Sequence, residues 1–116
     1  HMKEAFLEYQ ALLQGDGVSF SFKGRPGVSY SLRARHANQT DRDLFILIDV
    51  IDDDIENRWL SVCFYADMVE DPLDQDFVPG GLLGSDARCF TLDDDSATQK
   101  QYIADRVREA KQAASR

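Results

Sequence analysis

Cysteine, histidine, methionine and tryptophan are all scarce in this chain: 116 residues hold 2, 2, 2 and 1 of them. His1-Met2 reads as the remnant of a cleaved tag, which leaves His36 as the single native imidazole. With no second His and no Cys spaced beside it, His36 is expected to be a surface or capping residue rather than a metal ligand. Cys63 and Cys89 lie 26 positions apart inside apolar stretches, too few for a disulfide framework. They read as reduced, buried thiols, with pairing across adjacent strands as the lesser alternative. No His lies near Cys63 in sequence to activate it as a nucleophile, and no triad, dyad or metal-ligand set is assembled elsewhere. The expectation is a protein that is not an enzyme and carries no cofactor.

Positive charge is also in deficit, with 13 Lys and Arg against 21 Asp and Glu and a formal net charge of -8. Counterion release from nucleic acid needs clustered basic residues, so neither nucleic acid nor an anionic membrane surface is an expected partner. No apolar run approaches the roughly 20 residues of a spanning helix. Nor does a continuous apolar segment follow the N-terminus, and the cytoplasm is the expected compartment.

What is present suffices for a core: 43% hydrophobic residues, including 7 Phe and 4 Tyr. One α+β domain over residues 3–114 is expected. Phe6, Tyr9 and Leu13 with Ala5 and Leu12 keep the three-and-four spacing of a helix over Lys3 to Gln14, which Gly15 ends. Val18, Phe20 and Phe22 then alternate with polar residues. After the turn Gly24-Arg25-Pro26-Gly27, so do Val28, Tyr30, Leu32 and Ala34. Leu44 to Ile51 is apolar at nearly every position, the mark of a central strand covered on both faces. Asp52 to Asn57 reads as a turn, and Arg58 to Ala66 as the returning strand. Arg88 to Leu92 is a further short strand. Ser96, with Gln99 three positions on, caps a final helix carrying Ile103, Val107, Ala110 and Ala114. The expected architecture is a two-layer sandwich, an antiparallel β-meander of about five strands with both terminal helices on one face.

Charge is divided unevenly along the chain. Residues 1–42 carry six basic and four acidic residues, residues 43–95 carry two and 15, and residues 96–116 carry five and two. Two acidic clusters stand out. Asp52, Asp54 and Glu56 lack the glycine and ligand spacing of a calcium loop and are only weak metal candidates. The second lies in an expected long acidic loop, 67–86, where Asp71, Asp74, Asp76, Phe77, Gly80 and Gly81 could form a lid. Pro79 to Gly84 is glycine-rich, but a strand rather than a helix follows, so it is not a phosphate loop.

The non-helical face of the sheet carries the functional expectation. Phe45, Leu47, Trp59 and Tyr65 are placed there as an apolar centre, with Arg33 and Arg35 as a basic flank on the first hairpin. Water is a poor neighbour for such a surface. The leading expectation is a non-catalytic protein-interaction module using that face, with a protein partner or a second copy of itself. A small-ligand or divalent-cation domain closed by the 67–86 loop is one alternative. An acidic nucleic-acid mimic is the other.

Overall fold

Six strands and two helices make up the fold seen in a computed structural model, which describes residues 2–26, 29–51, 58–74, 77–93 and 96–116. In chain order they are α1 (Met2–Leu13), β1 (Val18–Arg25), β2 (Ser29–His36), β3 (Ile46–Ile51), β4 (Trp59–Tyr65), β5 (Phe77–Leu82), β6 (Ser85–Leu92) and α2 (Ala97–Ala114). The strands form one antiparallel sheet in the order β1-β2-β3-β4-β6-β5. This is the expected α+β architecture, with two corrections. There are six strands rather than five, because β5 occupies part of the expected 67–86 loop. The meander is also broken once: the chain runs past β6 to the outer edge, forms β5, and returns. That return is tight, with Leu83 and Gly84 both at positive φ (52° and 87°) between the paired residues Leu82 and Ser85.

Both helices cover the same face. Phe6, Tyr9 and Leu13 of α1 and Ile103, Val107 and Ala110 of α2 pack with Leu32, Ile46, Ile48, Leu60, Val62, Phe64 and Phe90 in one buried cluster. These are the positions the two periodicities pick out, three and four apart on the helices and two apart on the strands. The helices are joined to each other by polar contacts at both ends. Tyr9 donates its hydroxyl to the Lys100 carbonyl at 3.1 Å, and Lys111 Nζ donates to the carbonyls of Leu12 and Gln14 at 3.1 and 2.6 Å. Lys111 thereby satisfies the free carbonyls at the end of α1. At the start of α2 the Gln99 amide donates to Ser96 Oγ at 3.2 Å, as the capping expectation requires.

Burial raises the pKa of the Tyr9 hydroxyl above its ordinary value of 10.0, and burial shifts Tyr65 and Tyr102 the same way. Above that ordinary value the unfolded chain gives up these protons while the folded chain keeps them. Stability therefore falls as pH rises through the alkaline range. Tyr9→Phe is expected to shallow that decline without abolishing it, measured by thermal melting between about pH 8 and 11. An unchanged slope would show that Tyr9 is not linked to the transition.

Two placements differ from the sequence expectation. Phe45 is fully buried on the helix side and not on the open face. Its amide donates to the Ala34 carbonyl at 2.9 Å, while Ile46 also stands opposite Ala34. Two residues thus face one, and consecutive side chains enter the same core. His36 is buried rather than on the surface, and it accepts the Asn38 amide on Nδ1 at 3.0 Å, a capping role. Gly17 at φ 84° lies so close that an added Cβ would sit 2.9 Å from the imidazole, which restricts this position to glycine. The expected turn 24–27 is described only as far as Pro26, and the turn 52–57 lies outside the described residues.

Candidate functional site

On the face away from the helices the strand registers set out a grid. Lys23, Ser31, Asp49, Ser61 and Thr91 stand side by side across β1, β2, β3, β4 and β6. One row toward the first hairpin tip lie Arg25, Ser29, Ile51 and Trp59. One row the other way lie Ser21, Arg33, Leu47, Cys63 and Cys89. Alternation guarantees that all of these project to one side.

The β1–β2 part of this grid is cationic and lined by hydroxyls. A hollow of about 210 Å³ lies among Lys23, Arg25, Arg33, Ser29 and Ser31, with Asp49 and the apolar Leu47 and Ile51 as its far wall. Ser31 donates its hydroxyl to the Asp49 carboxylate. Among the described residues Lys23, Arg25 and Arg33 take part in no ion pair. Arg33 Nε is shielded from solvent and has no hydrogen-bond partner. A shielded guanidinium nitrogen without an acceptor is costly, and an arriving oxygen acceptor would relieve that cost.

Of the six residues expected to form the interaction surface, the structure brings Leu47, Trp59, Arg33 and Arg35 to this face. Leu47 and Trp59 are half-buried there. Arg35 is committed locally, its Nε donating to the Asp43 carbonyl at 2.7 Å. Tyr65 belongs to the same face but is covered: it is only 3% exposed, with the Arg42 guanidinium 4.0 Å above its ring. Arg42 is itself bound by both oxygens of Asp67, at 2.8 and 3.0 Å. That hydrogen-bonded pair lowers the pKa of Asp67 and raises that of Arg42. Leu44, Leu82 and Ala87 close the remaining space around Tyr65 and Cys63. The chain itself therefore covers only the Tyr65 end of this face. The half with Leu47, Ile51 and Trp59 keeps partial access.

Cys63 and Cys89 face each other directly, with Cα atoms 4.1 Å apart, and are joined as a disulfide. This overturns the expectation of two separate core thiols. Directly opposed positions on adjacent strands of one face bring the two sulfurs within reach of each other.

The proposed lid residues are distributed differently. Asp71 is fully shielded, accepting the Tyr102 hydroxyl and Arg88 Nη1, the latter at 2.9 Å. Arg88 also holds Asp74 at 2.9 Å. The Leu73 amide donates to Tyr102 Oη at 3.1 Å, and the Glu70 amide to Glu109 Oε1 at 2.9 Å. Segment 70–74 is thus fastened to α2 and β6 rather than hinged. Phe77, Gly80 and Gly81 lie in β5, and the Gly80 amide donates to Asp86 at 3.2 Å. Asp76 lies outside the described residues, as do Asp52, Asp54 and Glu56. Among the described residues no three His, Cys, Asp or Glu side chains gather closely enough to hold a metal ion.

Lys23 and Arg25 join Arg33 at the site; the sequence marks them as basic residues of the first hairpin, and the β1–β2 register places them on this face. Their signal was countable, since pairing Arg25 with Ser29 across the turn fixes Lys23 opposite Ser31. Comparison with known protein families, with curated proteins and with solved structures finds no match. Among the described residues no helix is long and apolar enough to cross a membrane.

Proposed function

We propose that this chain is a non-catalytic binding module that takes an acidic segment of a partner protein on the open face of its sheet. The observation that carries the reading is the cluster of Lys23, Arg25 and Arg33, free of ion pairs among the described residues, with Arg33 Nε shielded and unpartnered. In a chain of net charge -8 the cations elsewhere are mostly engaged: Arg42 with Asp67, Arg88 with Asp71 and Asp74, Arg106 with Glu109. The same engagements speak against the nucleic-acid-mimic alternative, because Asp67, Asp71 and Asp74 are taken up by those arginines. Leu47, Ile51 and Trp59 beside the cations supply apolar area for a partner's side chains, while the charges steer its approach. A second copy is a competing occupant, because residues 43–95 of this chain are themselves strongly acidic. The Cys63–Cys89 disulfide favours an oxidising compartment over the cytoplasm.

Trp59 is the only tryptophan and lies on the proposed surface, so its emission reports binding directly. Titration with a tryptophan-free, glutamate-rich peptide is expected to shift that emission at low salt and to weaken as salt rises. Reversing charge in the pair Lys23→Glu and Arg33→Glu is expected to weaken binding at least about tenfold. Light scattering on the same samples separates a partner from self-association. Binding indifferent to salt and to both substitutions would refute the proposal.

A further inference from the structure

The two edges of the sheet are built very differently. β5 is a broken edge: Pro79 lacks an amide proton, Gly80 sits at φ 66°, and the register with β6 shifts between Val78 and Leu82. Such features stop an edge from templating another strand. β1 has none of them. It pairs with β2 without interruption from Val18–His36 to Arg25–Ser29, eight residues long, and among the described residues its outer side has no neighbour in the sheet.

The flanks of β1 are also unfinished. Two helices, each about 10 Å across, span roughly 20 Å, whereas six strands at about 4.8 Å spacing span roughly 24 Å. The shortfall falls partly at the first hairpin. Beside α1 a groove of about 800 Å³ is lined by Phe6, Leu7, Phe22, Tyr30 and Val50. Leu7, Phe22 and Tyr30 are 51%, 47% and 44% exposed, three of the six large apolar side chains exposed among the described residues. Phe22 stacks on Tyr30 with ring centres 6.0 Å apart, and Tyr30 packs against Phe6 at 5.8 Å. On the opposite flank of the same strand lie Ser19, Ser21 and Lys23, then Arg33 one strand further in.

We infer that β1 is a docking edge, and that an extended segment alternating acidic with apolar residues adds to it as a seventh strand. Backbone pairing to β1 would send the segment's apolar side chains toward the Phe22 groove and its carboxylates toward Lys23 and Arg33. The inference rests on the proposed recognition of acid by the open face and specifies how the acid arrives. A second copy pairing edge to edge fits less well, since β1 itself contains no acidic residue to meet those cations.

The test uses the intact chain and a synthetic peptide alternating glutamate with valine, followed by calorimetric titration and by amide exchange along β1. Slowed exchange of the outward β1 amides is expected. Methylating the peptide nitrogens along one edge should weaken binding at least tenfold, and methylating the other edge should leave it unchanged. Phe22→Glu, at a position already half exposed, should weaken binding by a similar factor. Equal affinity for both methylated peptides, with loss on Lys23→Glu and Arg33→Glu, would overturn the docking edge and leave acid recognition by the face standing. Polyglutamate binding as tightly as the alternating peptide would overturn it too. If no acidic peptide binds at all, both readings fall.

Discussion

Replacing Cys63 and Cys89 together with alanine is expected to destabilise the fold by about 3 kcal/mol, from release of a loop closed over 26 residues. For a chain of this length that corresponds to a fall in Tm of about 10 °C. The crosslink ties β4, at the centre of the sheet, to β6, and so holds the final hairpin against the rest. A reducing agent should lower the melting temperature of the native chain by a similar amount and leave the double variant unmoved. Thiol titration of the unfolded, unreduced chain should find no free thiol. Two titratable thiols, or melting indifferent to reductant, would contradict the crosslink and restore the two cysteines to simple core residues.

The second large effect is expected at Asp71. Its carboxylate is completely shielded and is held by Arg88 and by the Tyr102 hydroxyl. Asp71→Ala removes the acceptor from both partners. Breaking a shielded pair at one end leaves unmatched polar groups behind, at a cost of about 3 kcal/mol. Asp74 still faces Arg88 at 2.9 Å, which keeps the loss from the top of the usual range. Asp71→Asn keeps an oxygen acceptor for one of the two donors and is expected to fall between the native chain and the alanine variant in chemical denaturation. Amide exchange should rise first across residues 70–74, which lose their attachment to α2. A variant that melts like the native protein would mean that segment 70–74 is held by other contacts.

Most of the fold was legible because two periodicities are written plainly. The alternation in Val18 to Phe22 and in Tyr30 to Ala34 defines one face of a hairpin, and the spacing of Phe6, Tyr9 and Leu13 defines the stripe that covers it. The N-terminal cap of α2 was equally readable, since Ser96 acts within its own turn. β5 was not, because Phe77-Val78-Pro79-Gly80-Gly81-Leu82 carries the composition of a loop. Its pairing with β6 is decided by a tertiary contact and not by local preference. The disulfide was half visible: the expected meander already set 88–92 beside 58–66, but the long connection between them left the register open, and the register is what brings Cys89 level with Cys63. Phe45 was misplaced because strict alternation fails where two residues oppose Ala34.

The site was half legible. Arg33 and Arg35 could be assigned to the open face by counting, but nothing local separates Arg35, held by a carbonyl, from Arg33, whose Nε has no acceptor. Tyr65 was expected to be open and is roofed by Arg42, a residue 23 positions earlier in the chain. The groove beside α1 was invisible in the sequence, where Phe22 and Tyr30 look like core residues. They are exposed because two helices do not reach across six strands.

The most direct test is an amide shift map of the intact chain titrated with the glutamate-rich peptide. Shifts concentrated on Lys23, Arg33, Leu47 and Trp59, fading as salt is added, are the predicted result. Shifts confined to residues 70–86, or none at all up to millimolar peptide, would contradict it.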